Sequence, residues 1–423
     1  MSEMVDTSVY TAALKEYYAD QQVENMVYKN NPLFALMPKN EKFGGKYYPV
    51  PIQYGDNQAR SHDFATAQTK SKTQYAKFDS FFIDSVENYQ VARIPTKSIL
   101  QSQGNVAAFL PIATKEIDSA INNLSRDLAV GMYRQGFGER GRIATGFTVT
   151  GSTTIEFENP ADVTNFEVGM ELVAATTAGA SALKALGTSG NGLIVTKVNR
   201  RIGEEAITLA YAIDDATNGI PTIAAGDYLF QVGDRQDSAT PARTKICGLS
   251  AWVPTTAPSA GESFWGVDRS IDSRLYGQYV DGSGMPIEEV LEDLDAIVCR
   301  EGGTPDYCMM NPYDFKAFKK AVGSRVVLVN VKANADISFQ GIEIASQKGT
   351  IKVIPDQNCP AGYIYLLTLD SWKLHSMGKA VRCIDLDGLS MLRINNADGV
   401  EIRYGSYSQV ACDAPGWNGV AKL

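Results

Sequence analysis

The strongest hydrophobic pattern in the chain is helical and covers residues 107–135. Its apolar positions, among them Ile117, Ile121 and Leu128, recur at steps of mostly three or four residues. That spacing places them along one face of a helix. Gly136 follows as a plausible cap. The pattern predicts one long amphipathic helix, which would span roughly 35–40 Å at 1.5 Å per residue.

Three further helices are predicted, over residues 5–29, 286–301 and 312–323. The second has its apolar residues on one side and begins at Pro286, which suits a helix start. The third begins at Asn311-Pro312, a capping residue followed by a proline in the first turn. The apolar run Asp306–Met310 just before it predicts a buried strand.

Residues 46–95 predict a long two-stranded excursion. The first strand, from Lys46 to Tyr54, contains Pro49 and Pro51, so it must lie at an edge or project from the sheet. Residues 55–73 form a polar, mobile tip, and residues 77–95 return as the second strand. A two-stranded hairpin is barely stable alone in water, so we expect it to lie on a neighbouring subunit.

Residues 146–245 change character, because short apolar runs alternate there with Gly, Asn and Asp. The runs are 147–150, 154–157, 171–175, 193–198, 206–211 and 228–232. This spacing predicts a small β-barrel or sandwich. It is inserted into a chain whose other segments predict an α+β fold. Further strands are predicted at 350–355, 363–369, 380–384, 389–394 and 400–404, with hairpin signals at Asp387-Gly388 and Asp398-Gly399.

Composition excludes several classes of protein. The net charge is −9 and no run of Lys and Arg is longer than two residues, which disfavours a dedicated nucleic-acid binder. The six cysteines contain no C-x-x-C pair, so we expect reduced, mostly buried thiols. The first ten residues lack the features of a signal peptide, and no apolar run is long enough for a membrane helix.

Motifs for catalysis are weak. The two histidines, His62 and His375, are interpreted as a surface residue and a packing residue. The run 136–141 fits G-x-G-x-x-G but follows a helix, whereas the dinucleotide motif follows a strand, so it is interpreted as a cap and flexible connector. Neighbouring carboxylates such as Glu288-Glu289 are expected on a solvated helix face. The sequence predicts no enzyme, cofactor or metal site.

The order of these segments resembles the major capsid proteins of tailed phages with the Hong Kong 97-type shell fold. Two local runs are similar to steps of that family. Pro305–Phe318 has a strand followed by an Asn-Pro helix start, and Pro360–Leu367 with Trp372 forms a late strand after a Pro-Gly turn. Each is weak alone, and the order of the segments carries the resemblance.

The resemblance implies an N-terminal arm (1–45), an extended loop (46–95) and a peripheral domain with the spine helix (96–145). An inserted β domain (146–245) follows, and then an axial domain with returning peripheral strands (246–423). It implies a protein that assembles into hexamers and pentamers of an icosahedral shell around packaged DNA. Its implied partners are itself, a separate scaffolding protein, a portal protein, a decoration protein, and double-stranded DNA contacted weakly. It would assemble in the host cytoplasm and reside in the virion, with no membrane contact.

Contacts between subunits are expected from the aromatic and lysine residues of the extended loop. The candidates are Tyr47, Tyr48, Tyr54, Phe64, Phe78, Phe81, Phe82, Lys70, Lys72 and Lys77. Some members of the family join subunits covalently through a lysine of this loop, which the three lysines leave open here. Other interpretations are an encapsulin-type compartment, a β-rich polysaccharide hydrolase, and a tail-tube or surface-layer protein.

Overall fold

The computed structural model describes residues 29–97, 106–323, 327–332, 338–385, 388, 391–394 and 397–423. The helix predicted over residues 5–29 lies outside them, apart from Lys29. Among the described residues the α-helices are α1 (Pro32–Leu36), α2 (Phe64–Ser71), α3 (Val106–Gly131), α4 (Leu249–Trp252), α5 (Ile287–Arg300) and α6 (Pro312–Val322).

The strands of the described residues fall into three large sheets and two hairpins. They are β1 (Lys39–Asn40), β2 (Tyr48–Gly55), β3 (Lys77–Ile83), β4 (Val86–Pro95), β5 (Glu139–Arg142), β6 (Thr154–Glu156), β7 (Glu171–Ala175), β8 (Leu193–Asn199), β9 (Ala206–Leu209), β10 (Tyr228–Gln231), β11 (Ser263–Phe264), β12 (Val267–Asp268), β13 (Gln278–Asp281), β14 (Tyr307–Met310), β15 (Val327–Lys332), β16 (Ser338–Ser346), β17 (Gly349–Pro355), β18 (Tyr363–Leu367), β19 (Trp372–Ser376), β20 (Arg382–Cys383), β21 (Leu392–Arg393), β22 (Gly399–Cys412) and β23 (Gly419–Lys422).

The first sheet is built around β22, the longest strand. One side of β22 pairs antiparallel with β4 from Val86 to Pro95. The other side pairs in turn with β21, β20 and β19. The hairpin signal at Asp387-Gly388 is wrong, because β20 and β21 both pair with β22 and not with each other. The signal at Asp398-Gly399 is confirmed, because β21 and β22 pair antiparallel across it.

The long helix α3 packs on β4 of this sheet. Ile117, Ile121 and Leu124 on its inner face are buried, as their spacing predicts. The helix ends at Gly131, before the predicted position 135. The next residues leave the helical path, and Gly136 adopts a φ of 92°, a conformation that favours glycine.

The second sheet has the order β5-β10-β7-β8-β9-β6 and contains the short strands of the 146–245 region. It has its own core, which includes Ile155, Phe166 and Leu229. Its first strand, β5, pairs with β10, so the sheet begins before residue 146. The interpretation of residues 136–141 as a flexible connector is therefore wrong, and the run predicted over 147–150 is not a strand.

The third sheet has the order β13-β23-β18-β14-β17-β16-β15. Helices α5 and α6 pack on one face of it, where Val290, Leu294 and Phe318 join a buried cluster with residues of the strands. Asn311 caps α6 by accepting a hydrogen bond from the backbone N–H of Tyr313. Both helices, and strand β14 between them, confirm the predictions from sequence.

The excursion of residues 46–95 differs from its prediction. Only β3 pairs with β2, and the chain then turns so that β4 joins β22. The division follows from burial, because Ala92 and Ile94 of β4 are covered in the core. The tip contains helix α2, which Asp63 caps by accepting a hydrogen bond from Thr66 N. Residues Pro32–Leu36 form the short helix α1.

Candidate assembly surfaces

The β2–β3 hairpin has two faces of opposite character. Val50 and Ile52 of β2 and Ile83 of β3 point inward and are buried. The outer face carries Phe78, 66% exposed, and Phe82, 51% exposed. Together with the exposed Pro49 and Pro51, which pair with Phe82 and Ser80, these two rings make up the outer apolar face of the hairpin.

Phe81 departs from the predicted set of contact residues. It is fully buried, with its ring edge-on to Trp252 at 5.0 Å and to Phe264 at 6.2 Å between centroids. The structure places Phe81 inside the chain's own core, because alternation along β3 turns it away from Phe82. Phe81 anchors the hairpin and is not part of the exposed set.

The three tyrosines of the first strand are also divided. Tyr47 is 46% exposed, with Lys46 Nζ 5.0 Å from its ring centroid. Tyr48 is half-buried and its ring lies 4.0 Å from that of His375. Tyr54 is half-buried against the main core. Tyr47 is therefore the most accessible of the three.

The tip helix α2 buries none of its residues. Phe64 at its first position is 81% exposed. A helix of eight residues is marginal in water without a packed face, and a large exposed aromatic in an ordered element is typical of a contact surface. Packing within a single chain therefore does not explain why the helix at the tip is ordered.

The three lysines of the loop lie around this tip. Lys70 Nζ donates to the carbonyl of Arg60 over 3.4 Å, and Lys77 Nζ lies 4.6 Å from the ring centroid of Tyr75. Lys72 is exposed. Covalent joining through any of them stays a prediction.

A tight turn at Trp265-Gly266 holds the hairpin to the body. The turn joins β11 and β12, and both of its residues have positive φ, 51° at Trp265 and 92° at Gly266. The Trp265 carbonyl accepts a hydrogen bond of 2.9 Å from Phe82 N. Two-residue turns of this kind favour Asn-Gly. Because a tryptophan occupies the first position here, the sequence does not predict this turn.

The joint between α3 and the second sheet contains four largely buried charges. Arg140 donates to Asp127 at 2.5 Å and to Asp234 at 3.0 Å. Lys245 Nζ lies 2.8 Å from each of the same two carboxylates, and Asn88 of β4 donates to Asp127 at 2.6 Å. We call these five residues the joint cluster. Burial alone would raise the pKa of Asp127, but Arg140 and Lys245 outweigh it and hold that pKa below its usual range.

A second buried polar group holds the start of the described arm. Asp356 accepts hydrogen bonds from Leu33 N, from the hydroxyl of Tyr133 and from the backbone and side chain of Asn358. The side chain of Asn358 also donates to Asn31 Oδ1 over 3.0 Å. We call these residues the arm anchor. Burial raises the pKa of Asp356 in spite of these hydrogen bonds.

The hairpin face, the tip, the joint cluster and the arm anchor do not have the features of a catalytic site. A cleft of about 840 Å³ lies between β4, α3 and the loop before β7, and its lining includes Glu116, Arg126 and Glu167. In the part of the chain that the structure describes, no group of three or more His, Cys, Asp or Glu could hold a metal ion. His375 is buried against Tyr48, and no described helix is long and apolar enough to cross a membrane.

Comparison with known families adds a match over part of the chain. Residues 209–386 match the family model described as SU10 major capsid protein. The matched segment runs from the end of β9 to just beyond β20, and it includes the strands of the third sheet except β23. Over these residues the chain is similar to a family of major capsid proteins.

Solved structures similar to this chain are distant in sequence. The cyanophage A-1(L) capsid asymmetric unit is 12% identical, with a TM-score of 0.49 over 93% of this chain and 92% of that chain. Mycobacterium phage Bobi is 8% identical, with a TM-score of 0.44 over 99% and 98%.

The holo-SrpI encapsulin complex from Synechococcus elongatus PCC 7942 is 12% identical, with a TM-score of 0.42 over 97% and 94%. At such scores these likenesses do not separate a capsid from an encapsulin. No curated protein matches the sequence.

Proposed function

We propose that this chain is a tailed-phage major capsid protein with the Hong Kong 97-type fold, supported by the family match of residues 209–386. Copies of it would form hexamers and pentamers of an icosahedral shell in the virion, in which the outer apolar face of each hairpin lies on a neighbouring copy. The observation that carries the proposal is the contrast within β3. The ring of Phe81 anchors the hairpin in the hydrophobic core of the same chain, while Phe78 and Phe82 on the opposite face are exposed to solvent. Burial of exposed aromatics at the centre of a contact contributes most of the binding energy of an interface.

The tip helix extends the same surface. Phe64 and the lysines Lys70, Lys72 and Lys77 lie beyond the body of the chain, where a second copy would supply the missing cover. Tyr47 adds a partly exposed aromatic near the base. Of the extended loop predicted over residues 46–95, residues 46–83 are the part that would project, because β4 pairs with β22.

The further partners belong to the same proposal. A separate scaffolding protein would guide assembly in the host cytoplasm, a portal protein would occupy one vertex, and a decoration protein could bind outside. Packaged double-stranded DNA would touch the inner surface weakly, since the net charge of −9 supplies no basic surface that would neutralise many phosphates.

The test is assembly of the chain expressed with and without a candidate scaffolding protein, observed by negative-stain electron microscopy and light scattering. The wild type is expected to give closed particles or rings. The double variant Phe78→Ser, Phe82→Ser is expected to lower the yield at least about tenfold, because roughly 1.4 kcal/mol of lost contact energy is a tenfold change in affinity.

The matched control is Ile202→Ser, which removes an exposed apolar residue from the turn between β8 and β9 and should leave the yield unchanged. Thermal unfolding of the free chain checks that the double variant folds. A wild type that stays monomeric or dimeric under both conditions would contradict shell formation. Normal particles from a folded double variant would contradict the role of the hairpin face.

A further inference from the structure

His375 lies where the first sheet, the N-terminal arm and the β2–β3 hairpin meet. In β19 it pairs with Gln409 of β22 on one side and with Asn40 of β1 on the other. Tyr48, the first residue of β2, places its ring 4.0 Å from the imidazole between centroids, at an interplanar angle of 35°. The ring of His375 therefore lies beside β1 and against the residue with which the hairpin begins.

The imidazole is buried and has no hydrogen-bond partner. His375 is 1% exposed, and neither of its ring nitrogens has a partner among the described residues. The side-chain oxygen of Gln409, the neighbour across the strands, already accepts hydrogen bonds from Cys247 N and Val410 N. A protonated imidazole carries two N–H donors, and burying a charge without partners is costly. The closed junction therefore suits the neutral ring.

The charged groups around the ring do not change this conclusion. Asp413, just after β22, would favour a protonated ring, but its carboxylate is paired with Lys373 Nζ at 2.5 Å. Burial lowers the pKa of His375 below its ordinary value of 6.5, with Asp413 opposing the shift and Lys373 adding to it. The charged residues at and beside β1 are exposed to solvent, and they are Lys39, Glu41 and Lys42.

The contact that covers the ring is short. Strand β1 has two residues and lies at the edge of its sheet. Beyond it, Phe43 N donates a hydrogen bond of 3.2 Å to the carbonyl of Ser376, and the ring of Phe43 lies 6.0 Å from that of Tyr48. A segment held by so few bonds can open locally while the rest of the sheet stays folded.

We propose that His375 makes this junction sensitive to pH, because a proton taken up by its ring in mild acid separates Tyr48 and residues 39–43 from β19 and lets the charged ring reach water. The open junction binds the proton more readily than the closed one. The closed junction is therefore fully stable above about pH 6.5 and is weakened as the pH falls below that value. Since the hairpin begins at Tyr48, mild acid would loosen the base of the hairpin.

Hydrogen exchange of the full-length chain at pH 7.5 and 5.5 tests the switch. After correction for the intrinsic effect of pH on exchange, the protection of residues 39–48 relative to the second sheet is expected to fall at least about threefold at pH 5.5. The limit is about tenfold, because pH 5.5 lies one unit below the ordinary pKa of 6.5.

Two variants identify the group responsible. His375→Phe keeps an aromatic ring beside Tyr48 but cannot take up a proton, so its relative protection should be the same at both pH values. His62→Phe is the matched control, since His62 is the other histidine of the chain and is exposed in the tip. This control should lose protection as the wild type does.

A direct titration of the ring covers the case in which His375→Phe does not fold. In His62→Phe, the single imidazole signal in a carbon-13 NMR spectrum reports His375. Its midpoint is expected below pH 6.5, in the range where residues 39–48 lose protection.

Three results would overturn the proposal. They are equal relative protection of the wild type at both pH values, a pH-dependent loss that persists in folded His375→Phe, and a His375 signal that titrates as that of the exposed His62 does. None of these measurements requires a shell to form, so the outcome is independent of the proposed function.

Discussion

The joint cluster and the arm anchor each hold a projecting part of the chain to the body through a largely buried carboxylate, but by different means. Asp127 lies between two cations, Arg140 and Lys245. Asp356 has no cationic partner among the described residues and relies on neutral donors. The pKa of Asp127 is accordingly lowered and that of Asp356 is raised. The joint of the second sheet is therefore held by ion pairs. The arm is held by hydrogen bonds from neutral donors, and a second conformation of the arm could form other hydrogen bonds in their place.

The largest effect is expected from Arg140→Met, which removes one of the two cations between Asp127 and Asp234 and leaves Lys245 alone with both carboxylates. Breaking a buried ion pair leaves an uncompensated charge and costs about 3–5 kcal/mol. Urea unfolding of the soluble chain measures the loss. The control is Arg126→Met, whose ion pair with Glu167 is partly exposed and should contribute only about 0–1 kcal/mol. Equal losses in the two variants would contradict the special role of the joint cluster.

A smaller and more local effect is expected from Asp356→Ala. The donors at Leu33, Tyr133 and Asn358 lose their acceptor, which costs about 1–3 kcal/mol. Hydrogen exchange should quicken over residues 31–37 and stay unchanged in the second sheet. Asp314→Ala is the matched control, because Asp314 accepts one hydrogen bond, from Gly362 N. Uniform quickening across the chain would show that Asp356 supports the whole fold rather than the arm.

The smallest effect, and the sharpest contrast, concerns pH. The raised pKa of Asp356 means that the folded chain takes up this proton before the unfolded chain does. Its contribution to stability therefore grows as the pH falls towards 3.8, the usual value for the group. The lowered pKa of Asp127 means the reverse, since its contribution is complete above about pH 4 and is lost below it.

Urea unfolding of the wild type, Asp356→Asn and Asp127→Asn at pH 7, 5 and 4 measures both contributions. The stability of the wild type relative to Asp356→Asn should rise as the pH falls. Its stability relative to Asp127→Asn should stay level down to pH 5 and decline near pH 4. Differences that move in the same direction between pH 7 and 5 would refute the contrast.

Local signals in the sequence were enough for some elements. Helices α5 and α6 were predicted from their apolar spacing and from Pro286 and Asn311, because periodicity and caps act within a few residues. Strand β7 was predicted with its observed ends, Glu171 and Ala175. The α+β class followed from the order of such elements and is confirmed by the observed helices and sheets. The capsid function followed from the same order, and the family match of residues 209–386 supports it.

Features that depend on distant partners were missed. Val86 pairs with Ser408, and Lys245 reaches Asp127 across 118 residues, and no local pattern records such pairings. Alternation along β3 showed that Phe81 and Phe82 face opposite ways, but not which of them faces the core. Strand β5 was missed because its sequence, Glu-Arg-Gly-Arg, is polar and is buried through ion pairs and hydrogen bonds.

The cysteines have a practical consequence. Five of the six thiols are buried, none is in a disulfide, and only Cys383 is half-buried. Burial raises the pKa of Cys247 to about 11 and that of Cys412 to about 12, so these two thiols carry almost no reactive thiolate at neutral pH. The buried thiols should therefore stay unchanged in oxidising surroundings. A cysteine engineered at an exposed site would react with maleimide dyes against little background, which makes the shell suitable for site-specific labelling.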